Sequence, residues 1–151
     1  MSPGCDFCAI ADGADSAVEI ICQEPEWVAF FPQRPATPGH TLIIPRVHVT
    51  DLWHADPSLG AALASATIRV GQAITAALAP AGMNLITSAG TAAEQTVFHL
   101  HLHVVPRWPD DGFGRIWPGR ERSTHANLGE VAEPIRAAYR GANAQAHDAS
   151  C

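Results

Sequence analysis

In residues 95–107, QTVFHLHLHVVPR, an imidazole occupies every second position, at His99, His101 and His103, with aliphatic side chains between them. An extended chain sends successive side chains to opposite faces. His99, His101 and His103 are therefore expected to share one face of a strand. Phe98, Leu100, Leu102 and Val104 take the other, where a helix can cover them. Histidine is an odd choice for a solvent-facing polar row, and two kinds of chemistry suit the pattern better. Imidazoles at H-x-H spacing ligate metals on strands. A neutral imidazole can also attack phosphorus or carbonyl carbon and carry a covalent intermediate. Gln95 and Thr96 precede the run with hydrogen-bonding groups of the kind that hold an oxyanion, which favours the nucleophilic reading.

A second reactive pair is Cys5 and Cys8, spaced C-x-x-C. Alone it could be a redox pair, but no thioredoxin-like βαβ pattern surrounds it. Four cysteines in 151 residues are too few for a disulfide scaffold. Cys22 lies in an apolar run and is expected to be buried, and Cys151 is the last residue. The formal net charge of -6 excludes broad electrostatic binding to nucleic acid. Arg107, Arg115, Arg120 and Arg122 could still form a local basic pocket after the histidines. No apolar run is expected to match a membrane span, and the N-terminus lacks the basic-then-apolar order of a signal peptide. A cytoplasmic location is the resulting expectation.

These side chains need elements to hold them. Residues 17–23 and 26–32 read as paired strands around a turn at Glu24 and Pro25, and residues 40–46 as a third strand closed by Pro45. Asp56 followed by Pro57 is an N-cap with proline at the first helical position. Leu59, Leu63, Ala66, Val70, Ile74 and Ala77 then recur at steps of three and four, predicting one long helix to about Leu78. A strand over 83–88, a long strand over 96–106 and a last helix over 127–141 with Pro134 in its first turns complete the chain. Strands with one long helix and few crossovers predict an α+β domain on an antiparallel sheet. In the tail, Trp108 and Trp117 are expected to pack.

HLHLHVV, residues 99–105, resembles the alternating signature of the histidine triad (HIT) family. QTVFHLHLHVVPR, PATPGHTLIIPRVH and CDFCAI are similar to three blocks of that family, so the resemblance covers roughly residues 5–107. It implies a single HIT-like domain over 1–151, with a core at about 5–107 and an extension over 108–151. It also implies a nucleotide hydrolase of the zinc-binding bacterial branch, acting on a nucleoside phosphoramidate or dinucleoside polyphosphate and releasing a nucleoside monophosphate. His101 would be the nucleophile, and a carbonyl accepting its Nδ1 proton would leave Nε2 free to attack. His103 would hold a phosphate oxygen and Thr96 the scissile bridging oxygen, with Gln95 and Ser88 as further phosphate contacts. Cys5, Cys8, His48 and His99 match the ligands of a structural zinc. His40 matches a position that steadies its loop, while His54, His125 and His147 read as surface or capping residues. A homodimer through the long helix and a strand is also implied.

Two positions depart from the family pattern. Pro32 stands where a ribose-gripping Asp is usual, leaving Gln33 and Arg34 as the nearest substitutes, and Glu94 precedes Gln95 where a small residue is usual. Glu94 could repel a polyanion, serve as an acid or base, or face solvent. Other functions stay open at this level: a nucleotidyltransferase with a non-water acceptor, a non-catalytic nucleotide-binding adaptor, or a metalloenzyme with all three histidines on one catalytic metal.

Overall fold

The computed structural model describes residues 4–15, 17–117 and 128–148. They form two units, residues 1–114 and 115–151. In the first, five strands make an antiparallel sheet in the order β1-β2-β3-β5-β4. The strands are β1 (Ile20–Gln23), β2 (Trp27–Phe30), β3 (Thr41–Pro45), β4 (Gly82–Ile86) and β5 (Leu102–Arg107). Two helices accompany them, α1 (Asp6–Ala11) and α2 (Pro57–Leu78). The second unit carries α3 (Leu128–Asp148), a helix with Pro134 in its interior. The expected antiparallel α+β architecture with one long helix and a C-terminal helix is therefore what the chain adopts.

Alternation along β2 and β3 sorts the core into two layers. Trp27, Ala29 and Ile43 join Leu102 and Val104 against Leu63, Ala66, Val70 and Ile74 of α2. Val28, Phe30, Leu42 and Ile44 face the other way, toward Ile10 and Ala11 of α1. The Asp56 carboxylate accepts from the Ser58 N–H, as the N-cap reading requires, and the helix ends at Ala79 in left-handed backbone. By length and hydropathy α2 does reach the range of a membrane span, contrary to the sequence expectation. Its buried stripe instead lies on the sheet. Truncating Leu63, 1% exposed there, would cost about 2–5 kcal/mol.

Three further expectations are corrected. The strand expected over 96–106 begins only at Leu102, so His99 and His101 lie in irregular backbone before the ladder. Phe98, expected to pack on a helix, is 48% exposed, because the side-to-side alternation holds only from Leu100 onward. Cys22, expected to be buried, is exposed, on the edge strand β1. The short helix α1 had no counterpart in the sequence reading. Arg46 anchors it by donating to the Ala11 carbonyl at its C-terminus.

Candidate functional site

α1 starts between the two cysteines. Cys5 is its N-cap and Cys8 lies on its first turn, and residues three apart on a helix share a side. Their sulfurs and one ring nitrogen each from His48 and His99 all lie within 4.8 Å of one another. The Cys8 Sγ is 3.3 Å from His48 Nδ1 and 3.6 Å from His99 Nδ1, and the Cys5 Sγ is 3.5 Å from His99 Nδ1. His99 Nε2 sits 2.9 Å from the Pro45 carbonyl. A carbonyl only accepts, so Nε2 carries the proton and the Nδ1 lone pair faces the sulfurs. That is how an imidazole is oriented for a metal by its outer hydrogen bond. Burial pushes the Cys5 thiol above its ordinary value, so a thiolate there calls for a cation beside it. Two sulfurs and two nitrogens make a closed tetrahedral donor set that fits zinc.

Two residues further on, His101 turns to a different hollow. Its Nδ1 lies 2.7 Å from the His99 carbonyl. By the same logic Nδ1 is the N–H, and Nε2 keeps its lone pair. The Phe7 ring separates the two sites, with its centroid 6.0 Å from His99 and 5.2 Å from His101. His101 lines a cleft of about 500 Å³ together with His103, His40, Thr96 and Val97. Phe7, Ile10, Val18, Phe30 and Leu42 give this cleft an apolar wall, and Pro32, Gln33, Arg34, Asp6 and Asp15 add to its lining.

His103 is held in the opposite tautomer through a chain the sequence did not reveal. The Ala36 N–H donates to His40 Nδ1 at 3.0 Å, so His40 carries its proton on Nε2. That nitrogen is 2.9 Å from His103 Nδ1, which must then accept. The remaining His103 proton sits on Nε2. The lone pair on His101 Nε2 and the N–H on His103 Nε2 thus belong to neighbouring rings, 4.9 Å apart. Burial pushes the pKa of His101 and of His40 below the ordinary range. Burial, followed by the charges of His101 and His40, takes that of His103 down to about 4. All three are neutral near pH 7. His40 itself follows Gly39, whose positive φ would strain any larger residue there.

The other candidates fall differently. Thr96 is exposed and borders the cleft, whereas Gln95 and Ser88 are not among its lining residues. Gln95, 3% exposed, spends both amide protons on the Thr50 and Val97 carbonyls and accepts from the Gly90 N–H. It clamps the loop that delivers Thr96. Glu94 is exposed, in left-handed backbone with φ 64°, and lies outside the cleft lining. His54 bonds Asp51 at 2.8 Å, a surface role as expected. Arg107 binds Asp111 at 2.6 Å and Asn84 at 2.8 Å, so its guanidinium is committed away from the cleft. Trp108 is half-buried as expected of a packing residue, but Trp117 is 81% exposed. Arg115 is exposed, while Arg120, Arg122, His125 and Cys151 lie outside the described residues and His147 outside the described side chains.

The HIT domain family model matches residues 14–110. The chain belongs to the HIT family. A crystal structure of a HIT family protein from Bacillus anthracis is similar with a TM-score of 0.81 and 34% identity, covering 91% of this chain and 99% of that one. A zinc-bound histidine triad family protein from Mycobacterium smegmatis is 40% identical with a TM-score of 0.68, over 78% of this chain and 86% of that one. Among curated relatives, the adenylylsulfatase HINT3 of Arabidopsis thaliana is 33% identical over 82% of this chain and 60% of its own length. Within this HIT protein, the sequence could have flagged Phe7 from its place between the two cysteines. Nothing in the sequence marks the Ala36 amide or the Pro45 carbonyl.

Proposed function

We propose that this HIT protein is a nucleotide hydrolase that cleaves a nucleoside phosphoramidate or dinucleoside polyphosphate through a nucleotidyl-His101 intermediate. The observation that carries this reading is the 2.7 Å contact between His101 Nδ1 and the His99 carbonyl inside an open cleft, which leaves Nε2 free. Nε2 attacks the α-phosphorus, the bond to the leaving nitrogen or oxygen breaks, and the His99 carbonyl meets the positive charge that forms on the ring. The His103 Nε2–H binds a non-bridging oxygen, and Thr96 reaches the scissile bridging atom. Water then attacks the same phosphorus and releases a nucleoside monophosphate, restoring His101. The enzymatic class is supported by the family and by the name of the Arabidopsis relative.

Cys5, Cys8, His48 and His99 would hold a structural zinc that ties α1 to the histidine segment. Zinc-held Cys5 and Cys8 and a Cys22 that forms no disulfide suit a reducing, cytoplasmic setting. A homodimer is supported by Ile68, Leu78 and Leu85, at 62%, 43% and 59% exposure on α2 and the edge strand β4. Light scattering that gives only a monomer at micromolar concentration removes the dimer. The catalytic reading is tested by incubating wild type and His101→Ala with a nucleoside phosphoramidate and with a dinucleoside polyphosphate, following product by chromatography. Wild type is expected to release the monophosphate and the variant none. Equal turnover by both would exclude His101 as nucleophile.

A further inference from the structure

Pro32 borders the cleft with a side chain that neither donates nor accepts a hydrogen bond. A sugar diol seated there needs an acceptor from another part of the cleft lining. Arg34 offers donors alone, and Gln33 offers a single neutral carbonyl. The two carboxylates of the lining, Asp6 and Asp15, come from the N-terminal segment. Asp6 is exposed and also borders the separate hollow formed by Cys5, His48 and Phe98. Asp15 borders the cleft and is half-buried. Its Oδ1 accepts from the Ala17 N–H at 2.8 Å, which fixes the carboxylate plane and leaves Oδ2 without a protein partner among the described residues. Val18, which packs against the α1 side of the core, follows close behind and borders the same cleft.

We infer that Asp15 takes over the missing carboxylate's role, accepting the sugar hydroxyls of the nucleotide from the N-terminal segment and making this enzyme selective for ribonucleotides. The inference rests on the nucleotide reading given above. It transfers the sugar contact from the β2–β3 loop to the segment after α1, which also carries the cysteine cluster. A carboxylate that is already oriented loses little on binding, and a hydrogen bond to a charged group is strong enough to discriminate.

The test is calorimetric and needs no turnover. Ribonucleoside monophosphates and their 2′,3′-dideoxy counterparts are titrated into full-length wild type, Asp15→Ala, Gln33→Ala and Arg34→Ala. Wild type is expected to favour the ribo form roughly 10- to 100-fold, the discrimination of one or two hydrogen bonds to a charged group. Asp15→Ala should bring the two forms to near equality by weakening only the ribo form, and adding Pro32→Asp should restore the preference. A ribo preference unchanged in Asp15→Ala, or absent in wild type, overturns the assignment. Loss of preference in Gln33→Ala or Arg34→Ala alone would overturn it equally. If neither form of any nucleotide binds wild type, the nucleotide reading itself fails, which is a separate result from a missing ribo preference.

Discussion

His99 and His101 sit two residues apart, 0% and 6% exposed, and each donates one ring proton to a backbone carbonyl. They are nevertheless set for different chemistry. His99 points its Nε2–H at the Pro45 carbonyl, so Nδ1 turns to the cysteine sulfurs; His101 points its Nδ1–H at the His99 carbonyl, so the Nε2 lone pair is left for the cleft. The difference lies in which nitrogen the backbone engages, and Phe7 keeps the two hollows apart. Identical side chains thus present opposite ring nitrogens, one to the cysteine–histidine cluster and one to the cleft, through one hydrogen bond each. This separation also disfavours one catalytic metal shared by all three histidines, since the metal-type cluster holds His99 and neither of its neighbours in the triad.

The contrast can be broken most directly at His101. His101→Ala should lower kcat by roughly 10³-fold or more and abolish any acid-quenched nucleotidyl adduct seen by mass spectrometry. An adduct that persists on another residue would dissolve the distinction. At the other site, Cys8→Ser or a strong chelator should lower the melting midpoint by roughly 4–8 °C, corresponding to about 2 kcal/mol, with kcat changed far less than by His101→Ala. Metal analysis of the purified protein should return about one zinc per chain, lost in Cys8→Ser.

His40 sharpens the picture on a smaller scale. His40→Leu removes the donor to His103 Nδ1 and should reduce kcat roughly tenfold, the usual size of a lost supporting hydrogen bond to a working imidazole. His40→Gln can accept from Ala36 and donate to His103 at once, and should retain most of the rate. Equal loss in both variants would show that His40 acts through packing.

The same burial has a consequence for stability. His103 has an ordinary value of 6.5 and a folded value of about 4, so between these the unfolded chain binds a proton that the folded one refuses. Stability is therefore present above pH 6.5 and declines as pH falls toward about 4, with His40 acting in the same direction. The urea midpoint should drop between pH 7 and pH 5, and drop less in His103→Gln. The smallest effect is expected remote from both sites, at Asp111. Arg107 holds its carboxyl well below the usual carboxylate range, and Asp111→Asn should slightly lower the melting midpoint while leaving turnover unchanged.

Much of this was legible in the residues. The alternation of histidine with aliphatics, the Asp56-Pro57 cap and the three-four spacing of α2 each express local geometry, which depends on neighbours along the chain. Where expectation and structure part, long-range contacts decide. Leu100 donates its N–H to the Val49 carbonyl at 2.6 Å, drawing the segment out of strand register and leaving Phe98 exposed. Cys22 is exposed on β1, which falls at the sheet edge, a property of strand order. Gln95 has the residue type of a phosphate contact, yet the loop it closes uses its whole amide.

By itself the sequence determined the antiparallel α+β frame and the histidine run, because side-chain type and period are written residue by residue. The four residues of the cysteine–histidine cluster followed only from the resemblance to the HIT family. Tertiary structure alone decided which nitrogen of each imidazole stays free and that Asp6 and Asp15 border the cleft. Those outcomes depend on backbone groups at Ala36, Pro45 and His99 whose positions only the folded chain supplies, and a backbone amide or carbonyl is chemically the same at nearly every residue.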